Sequence, residues 1–435
     1  MATGTRRTFQ DMLNEYTPNR MLKEELIQRD YIIQNVQKDD NWKGGKLIVP
    51  FKGAGATSVS FNKLTPASQI SQSKYVRGSI DDYREVWASL IFNQRDLQEH
   101  NGSIPESTFL KILPGELEQF MDYMKEVVSI QFGTGPHFAT LQEDGDTNGV
   151  GVLDVDKIDR FQIGQKFVLN DGLNNADQDL FVTAIDIDNE RVTVSDTPGG
   201  TPFPCAAYTT ANTSRTYHPG ISDGAGAFNT FVSFREALLS PNNPAYGGGT
   251  TLPAGSQIGA TKLHGVNKSA YPILQAVNIN GEAITATNIL DALFDSYTEV
   301  RRRSKGRATE YLMSLRNYGS VMKQLELQKG AFRVVEDPKE SLFGWMEMKI
   351  ANVTGQVLKI VGIQEWDDDV IALVDWRNIT FRSNGYFKKR VSPDGREYFE
   401  IRAEDGYQYV CDMSLFGEME YSCPGHSAII YGIQY

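Results

Sequence analysis

Apolar residues recur at helical spacing in a few stretches and alternate with polar ones through most of the rest. In "RMLKEELIQRDYIIQNVQ", Arg20 to Gln37, the positions Leu22, Leu26, Ile33 and Val36 predict a short amphipathic helix behind a polar arm. In "PESTFLKILPGELEQFMDYMKEVVSIQFGTG", Pro105 to Gly135, the residues Leu117, Phe120, Met121, Met124, Val127 and Val128 share one face. This predicts a long helix with one buried stripe, kinked or restarted at Pro114 and ended by Gly133. "TNILDALFDSYTEVRRRSKGR" places Leu290, Leu293, Phe294, Tyr297 and Val300 on one helical face, with Thr287 or Asn288 as cap. "ATEYLMSL" followed by "RNYGSVMKQLELQKG" reads as a strand and then a helix.

The β texture falls in three regions. Between Gly44 and Asn93, strand-like segments at Leu47 to Phe51, Thr57 to Phe61 and Tyr83 to Phe92 are separated by Gly, Pro, Ser and Gln. A hairpin excursion of this kind buries little of itself, because two isolated strands are marginal in water, so it needs support from outside its own domain. From Leu141 to Pro219, "RFQIGQKFVLN", "DLFVTAIDID" and "ERVTVSD" alternate apolar and polar residues between Asn, Asp and Gly turns. That compact pattern predicts a small barrel or sandwich set between segments of a different kind. "GAFNTFVSFREALLS" and the Gly- and Pro-rich loop "SPNNPAYGGGTTLPAGS" follow, and the last hundred residues are mostly strands.

Composition narrows the class. A chain of 435 residues exceeds what one core usually supports, so more than one domain is expected. With 40% apolar, 11% aromatic and 23% charged residues it reads as an ordinary soluble protein. The net charge of -12 argues against a dedicated nucleic-acid binder. Three cysteines without CxxC spacing indicate neither a disulfide framework nor a zinc ribbon, and fit a reducing compartment. The N-terminal stretch lacks an apolar signal region, and no apolar run reaches the roughly 20 residues of a membrane-spanning helix.

Candidate chemistry is sparse. "VRRRSKGR", Val300 to Arg307, packs five positive charges into eight residues. Arg301, Arg302 and Arg303 suit the last turn of a helix, where the macrodipole is negative; contact with an acidic neighbouring subunit or with DNA are the other readings. "DGDTNG" spaces Asp144, Asp146 and Asn148 like half of a calcium loop, but Val155 stands where the bidentate glutamate belongs. A plain turn accounts for it, and these three residues are the weak candidates for a metal in a chain expected to hold neither metal nor cofactor. Asp367 to Asp369 in "EWDDDV" read as a solvated turn, and "CPGH", Cys423 to His426, as a buried thiol beside a turn. "GAGATS", Gly53 to Ser58, lacks the Gly-Lys-Ser/Thr ending of a phosphate loop. Five histidines, scattered without HxxxH or HxH spacing, leave no catalytic constellation, so no enzyme is expected.

The order of polar arm, short helix, extended hairpin, long helix, mixed α/β and terminal strands resembles the major capsid protein of tailed double-stranded DNA phages, with its Hong Kong 97 type fold. Within it, "ATEYLMSLRNYGSVMKQLELQKGAFRVVEDP" looks like the strand, helix and Gly turn of the family's axial domain. "LKIVGIQEWDDDVIALVDWRNITFRSNGYFKKRV" looks like its return strands, and the likeness spans nearly the whole chain outside 141–219. The resemblance implies an α+β fold with an N-terminal arm and short helix at 1–41, an extension loop at 42–100, and a peripheral domain with its spine helix at 101–140. It further implies an inserted all-β domain at 141–219, more peripheral domain at 220–285, an axial domain at 286–410 and a final peripheral segment at 411–435.

The implied function is self-assembly, as pentamers and hexamers, into an icosahedral shell around packaged DNA. Inter-subunit contacts would then draw on Lys52, Phe61, Lys63, Lys74, Tyr75 and Arg77 of the hairpin and on Arg301, Arg302 and Arg303. The implied partners are copies of the chain, a scaffolding protein, a portal and a decoration protein, with double-stranded DNA enclosed but not bound by sequence, and no membrane. The implied place is the virion capsid, assembled in the host bacterial cytoplasm. The family's lysine–asparagine crosslink would use Lys52, Lys63 or Lys74, but no acidic catalyst accompanies them and none is expected. Two alternatives fit less of the pattern: a bacterial nanocompartment shell protein, and a secreted β-rich adhesin or glycan-binding protein.

Overall fold

Six strands between His137 and Tyr217 alternate apolar and polar residues and close on one another as an antiparallel barrel. The structure is a computed structural model that describes residues 31–42, 45–54, 74–80, 84–93, 120, 123–133, 135, 137–146, 151–170, 178–205, 215–219, 230–239, 245–246, 250–251, 262–285, 288–304, 307–327, 347–351, 357–384, 388–389, 400–402 and 408–433. Around the barrel the strands run in the order Arg215–Tyr217, His137–Asp146, Val152–Val155, Arg191–Ser195, Gln178–Asp186 and Lys166–Asn170, the last pairing back to the first. Phe138, Leu153, Phe161, Phe167, Leu180, Val182, Val192 and Val194 fill the interior. Gly151 sits at φ +75°, and a Cβ there would lie 2.5 Å from the Phe203 carbonyl oxygen, so only glycine fits.

The chain divides into two units. The first comprises Met1–Gly45, Asp81–Ser129 and Thr380–Glu418. Its sheet is organised by the long strand Gln408–Tyr421, which pairs antiparallel with Arg84–Asn93 from Gln408↔Asn93 to Gly417↔Arg84. Lys388–Lys389 and Glu400–Arg402 also pair with it, while Gln37–Asp39 runs parallel to Ile379–Ser383. An Asp39–Arg382 ion pair and a 3.1 Å hydrogen bond from Ser383 Oγ to Asp40 reinforce that last pair. Of the segment read from sequence together with the hairpin, Tyr83 to Phe92, the described part Arg84–Phe92 thus belongs to a different sheet: its alternation told strand from helix but named no partner.

The second unit comprises Lys46–Ile80, Ile130–Ile379 and Met419–Tyr435. Besides the barrel it holds a mixed sheet in the order Val277–Asn280, Ala428–Tyr431, Val370–Val374, Glu310–Ser314, Val357–Ile363 and Glu347–Ala351. Two of its four inner strands, Val370–Val374 and Ala428–Tyr431, are buried at every residue, which is why they read as unbroken apolar runs. Helices Ile289–Ser304 and Leu315–Leu327 cover the sheet, joining Leu290, Leu293, Tyr297, Val300, Val321 and Leu325 to Tyr311, Ile360, Ile371 and Ile430 in one core. The predicted apolar face of the first of these helices is the buried one, as is the predicted strand-then-helix order at Glu310–Ser314 and Leu315–Leu327. Its Leu290 N–H donates to Gln324 Oε1 at 3.0 Å, so one helix satisfies an open N-terminal donor of the other.

Two expectations are corrected. Residues 123–133 are helical and end at Gly133 as predicted, but Lys125, Ser129 and Gln131 are buried along with Met124, Val127 and Val128, so burial is not confined to one stripe. Asp367 to Asp369 are not a solvated turn: Asp367 is only 7% exposed and sits beside the buried Trp366, whose indole N–H donates to the Val370 carbonyl at 2.9 Å. The tryptophan's burial takes the following carboxylate inward, and two arginines make that burial tolerable.

Candidate assembly surfaces

Strands Leu47–Ala54 and Lys74–Ile80 form a hairpin in which Ile48, Pro50 and Lys52 stand opposite Ser79, Arg77 and Tyr75. Directly opposed residues share a face, so these six form one side of the ribbon and Leu47, Val49, Phe51, Val76, Gly78 and Ile80 the other. The second side is fixed in place. Val49, Phe51 and Ile80 are buried, the Phe51 ring stacks on the His264 ring at 6.2 Å, and the Ser79 N–H donates to the His264 carbonyl at 2.9 Å. His264 also accepts the Tyr421 N–H on Nε2 at 3.2 Å, which requires that nitrogen to be unprotonated. Burial, reinforced by Lys268, pulls its pKa down to about 3, and it is therefore neutral near pH 7. Lys268 is itself buried, donating to the Leu239 carbonyl at 3.2 Å and to the Glu236 carbonyl; burial lowers its pKa to about 8 against the opposing pull of the Glu236 carboxylate.

The first side of the ribbon faces solvent. Tyr75 is 66% exposed and Ile48 55%, with Lys52 and Arg77 exposed beside them. Of the hairpin candidates, Lys52, Tyr75 and Arg77 therefore come together on one face, Lys74 lies on the same strand opposite Ala54, and Phe61 and Lys63 fall outside the described residues. The "GAGATS" stretch begins on the strand, at Gly53 and Ala54, and otherwise lies outside them too.

Arg301, Arg302 and Arg303 form the last turn of helix Ile289–Ser304, where the sequence put them. Arg302 and Arg303 both reach back to Glu299, at 2.6 and 2.5 Å. Hydrogen bonds from those two guanidinium groups hold the Glu299 carboxyl down at about 2. Asp144 and Asp146 lie on the barrel strand His137–Asp146, while Asn148 is outside the described residues. No cluster of three or more possible metal ligands occurs among the described residues. Cys423 is buried, and burial pushes its thiol up to about 12, which fits the reading of "CPGH" as an inert buried thiol at a turn.

The charge network that sequence reasoning missed centres on the Asp367 turn. Arg160 donates to Asp367 Oδ1 at 3.2 Å and to the Phe138 and Glu365 carbonyls at 2.6 Å each. Arg235, 1% exposed, donates to Asp367 Oδ2 at 3.2 Å and to both Asp369 oxygens at 2.6 Å. Lys157 pairs with Asp368 at 2.9 Å, and Asn317 donates to the Asp368 carbonyl at 2.8 Å. Three consecutive aspartates thus tie the barrel, helix Phe234–Leu238 and helix Leu315–Leu327 to one turn of the mixed sheet. The sequence signal was an arginine inside an apolar helical run, "SFREALLS", whose charge had to find a buried partner.

No family model matches the chain, and no curated protein matches it in sequence. Among the described residues no helix is long and apolar enough to cross a membrane. The chain is similar to solved shell proteins of low sequence identity. With a chain from the capsid of the native GTA particle it shares 11% identity at a TM-score of 0.43, covering 92% of this chain and 88% of that one. With the cyanophage A-1(L) capsid asymmetric unit the identity is 10% and the TM-score 0.46, over 92% and 91%. With the holo-SrpI encapsulin complex from Synechococcus elongatus PCC 7942 the values are 8% and 0.37, over 94% and 90%.

Proposed function

We propose that this chain is the major capsid protein of a tailed double-stranded DNA phage, a non-enzymatic subunit that closes with its own copies into a shell of pentamers and hexamers. The hairpin carries the proposal. One of its faces is fixed through His264, and the other presents Tyr75, Ile48, Lys52 and Arg77 to solvent, an apolar and cationic strip suited to a neighbouring copy. The order of elements in the sequence, with the hairpin before a long helix and the α/β segment after it, supports the same assignment. In this scheme residues 42–100 hold the extension loop, 101–140 the spine helix, 141–219 an inserted β domain and 286–410 the axial domain.

Many modest contacts per subunit sum to a stable closed shell, so no single interface has to be large. A scaffolding protein would set curvature, a portal would fill one vertex, and a decoration protein would bind the outside. An acidic chain at -12 suits a container that must release its DNA, since strong phosphate contacts would oppose ejection.

Negative-stain electron microscopy of the purified chain, alone and with candidate scaffolding proteins, tests the proposal. Closed shells or hexamer sheets are expected. A chain that stays monomeric in every condition would overturn it. Shells recovered from the native host that hold a protein cargo and no nuclease-protected DNA would reassign it to a nanocompartment.

A further inference from the structure

The barrel segment carries most of the chain's net negative charge. Between His137 and Pro219 the sequence has thirteen Asp and Glu against five Lys and Arg, or -8 of the total -12. Four of the five cations are already engaged: Lys157 with Asp368, Arg160 with Asp367, Lys166 with Asp179 and Arg191 with Asp154. Three of the thirteen stand at the turn Asp186 to Glu190, between strands Gln178–Asp186 and Arg191–Ser195, where all five residues are exposed. Asp188 and Glu190 make no ion pair among the described residues.

This turn has a defined shape. Asn189 donates through its side chain to Asp186 Oδ2 at 2.7 Å and through its backbone to Oδ1 at 3.3 Å, and Glu190 adopts a left-handed φ of 54°. The result holds Ile187 73% exposed in a turn that also carries Asp186, Asp188 and Glu190. An isoleucine exposed in an acidic turn has no role in the barrel's own core, to which it does not belong.

The same chain presents the complementary surface. The last turn of helix Ile289–Ser304 supplies Arg301, Arg302 and Arg303, and Arg307 stands exposed shortly after it. Arg302 and Arg303 share one carboxylate, Glu299, so this helix end keeps an excess of positive charge, and their aliphatic stems offer apolar surface to an isoleucine.

We infer that the Asp186–Glu190 turn of one copy docks on the Arg301–Arg303 helix end of another, with Ile187 against the arginine stems and the carboxylates against the guanidinium groups. This rests on the shell reading above and names a contact that the hairpin does not supply. A single exposed ion pair contributes little, but a contact repeated at every subunit of a closed shell is multiplied by the assembly.

The test pairs two charge reversals, Asp186→Lys/Asp188→Lys and Arg302→Glu/Arg303→Glu, each first shown to melt at the wild-type temperature. Light scattering then gives the concentration at which each assembles. Each variant alone is expected to need roughly tenfold more protein than wild type, and an equimolar mixture to recover most of the loss. Raising salt from about 0.05 to 0.5 M should shrink the difference between wild type and variants. Variants that assemble like wild type, or a mixture that fails to recover, would overturn the contact while leaving the shell reading intact. A wild-type chain that never associates sinks both. Fluorescently labelled duplex DNA that binds wild type and not Arg302→Glu/Arg303→Glu, with assembly of Asp186→Lys/Asp188→Lys unchanged, would assign the helix end to nucleic acid instead.

Discussion

The barrel and the hairpin are built from the same antiparallel alternation of apolar and polar residues, and they solve the problem of their open edges in opposite ways. The barrel closes on itself, so every strand has two neighbours and the inward side chains form a core of their own. The hairpin has two strands and no closure, and its buried face exists only because His264 and its neighbours cover it. Closure lets the barrel offer its turns to partners without risking its fold. The hairpin instead keeps one whole face unspent, and that face is where a second chain has most to gain.

The largest effect expected concerns how the barrel is held to the mixed sheet. Asp367→Ala leaves Arg160 and Arg235 buried without their shared carboxylate, a loss of about 3–5 kcal/mol. Urea unfolding at pH 7 measures it. A midpoint like that of wild type would mean that Asp368 and Asp369 suffice, and that the barrel's independence is greater than the network implies.

Acid should act on both regions, through one histidine each. Burial, with a smaller push from Arg160, lowers the pKa of His218 to about 4, and that of His264 is about 3, against 6.5 for an exposed histidine. Because the folded-state values are the lower ones, the unfolded chain takes up protons first. Stability is full above pH 6.5 and falls as pH drops toward 4 and 3, by about 3 kcal/mol for His218. Unfolding free energies measured from pH 7 to 4.5 should flatten in His218→Phe for the barrel's share and in His264→Gln for the hairpin's share. Parallel slopes in wild type and both variants would remove the histidines from the account.

A smaller and more local effect separates the two regions. A Cβ on Gly78 would lie 2.5 Å from the Phe51 ring and 2.9 Å from the His264 carbonyl oxygen. Gly78→Ala should therefore cost about 1–3 kcal/mol by overpacking the hairpin's foot. Limited proteolysis should then cut between residues 46 and 80 sooner while the barrel segment 137–217 survives as in wild type. Equal acceleration in both segments would show that they open together.

What the sequence made legible follows the range of the interactions. Helix Ile289–Ser304, its apolar face, its basic last turn and the β pattern that becomes the barrel are local properties, set by spacing along the chain. Strand partnership was hidden, since Arg84–Asn93 carries the same alternation whether it pairs with the hairpin or with Gln408–Tyr421. The Asp367 network was hidden for a related reason. Arg160 and Arg235 lie 207 and 132 residues from the carboxylate they share, and a run of three aspartates reads as solvated until the cations around it are known. His264 gave no signal at all, because a histidine that accepts one backbone N–H and stacks on one ring needs no motif around it.

The smallest expected change in stability tests the comparison most directly. Ile48→Ser and Tyr75→Ser remove apolar surface that is already in water, so each should move the unfolding free energy of the isolated chain by less than about 0.5 kcal/mol. If the outer face of the hairpin is reserved for a neighbour, the double variant should nonetheless lose assembly, because an interface core depends on a few large apolar and aromatic anchors. Melting temperature and light scattering on the same sample separate the two quantities. A variant that melts early would show that the outer face supports the chain's own fold, and the contrast with the barrel would disappear. A variant that melts normally and assembles normally would leave the hairpin's open face without a partner and shift the search for the contact to the barrel's acidic turn.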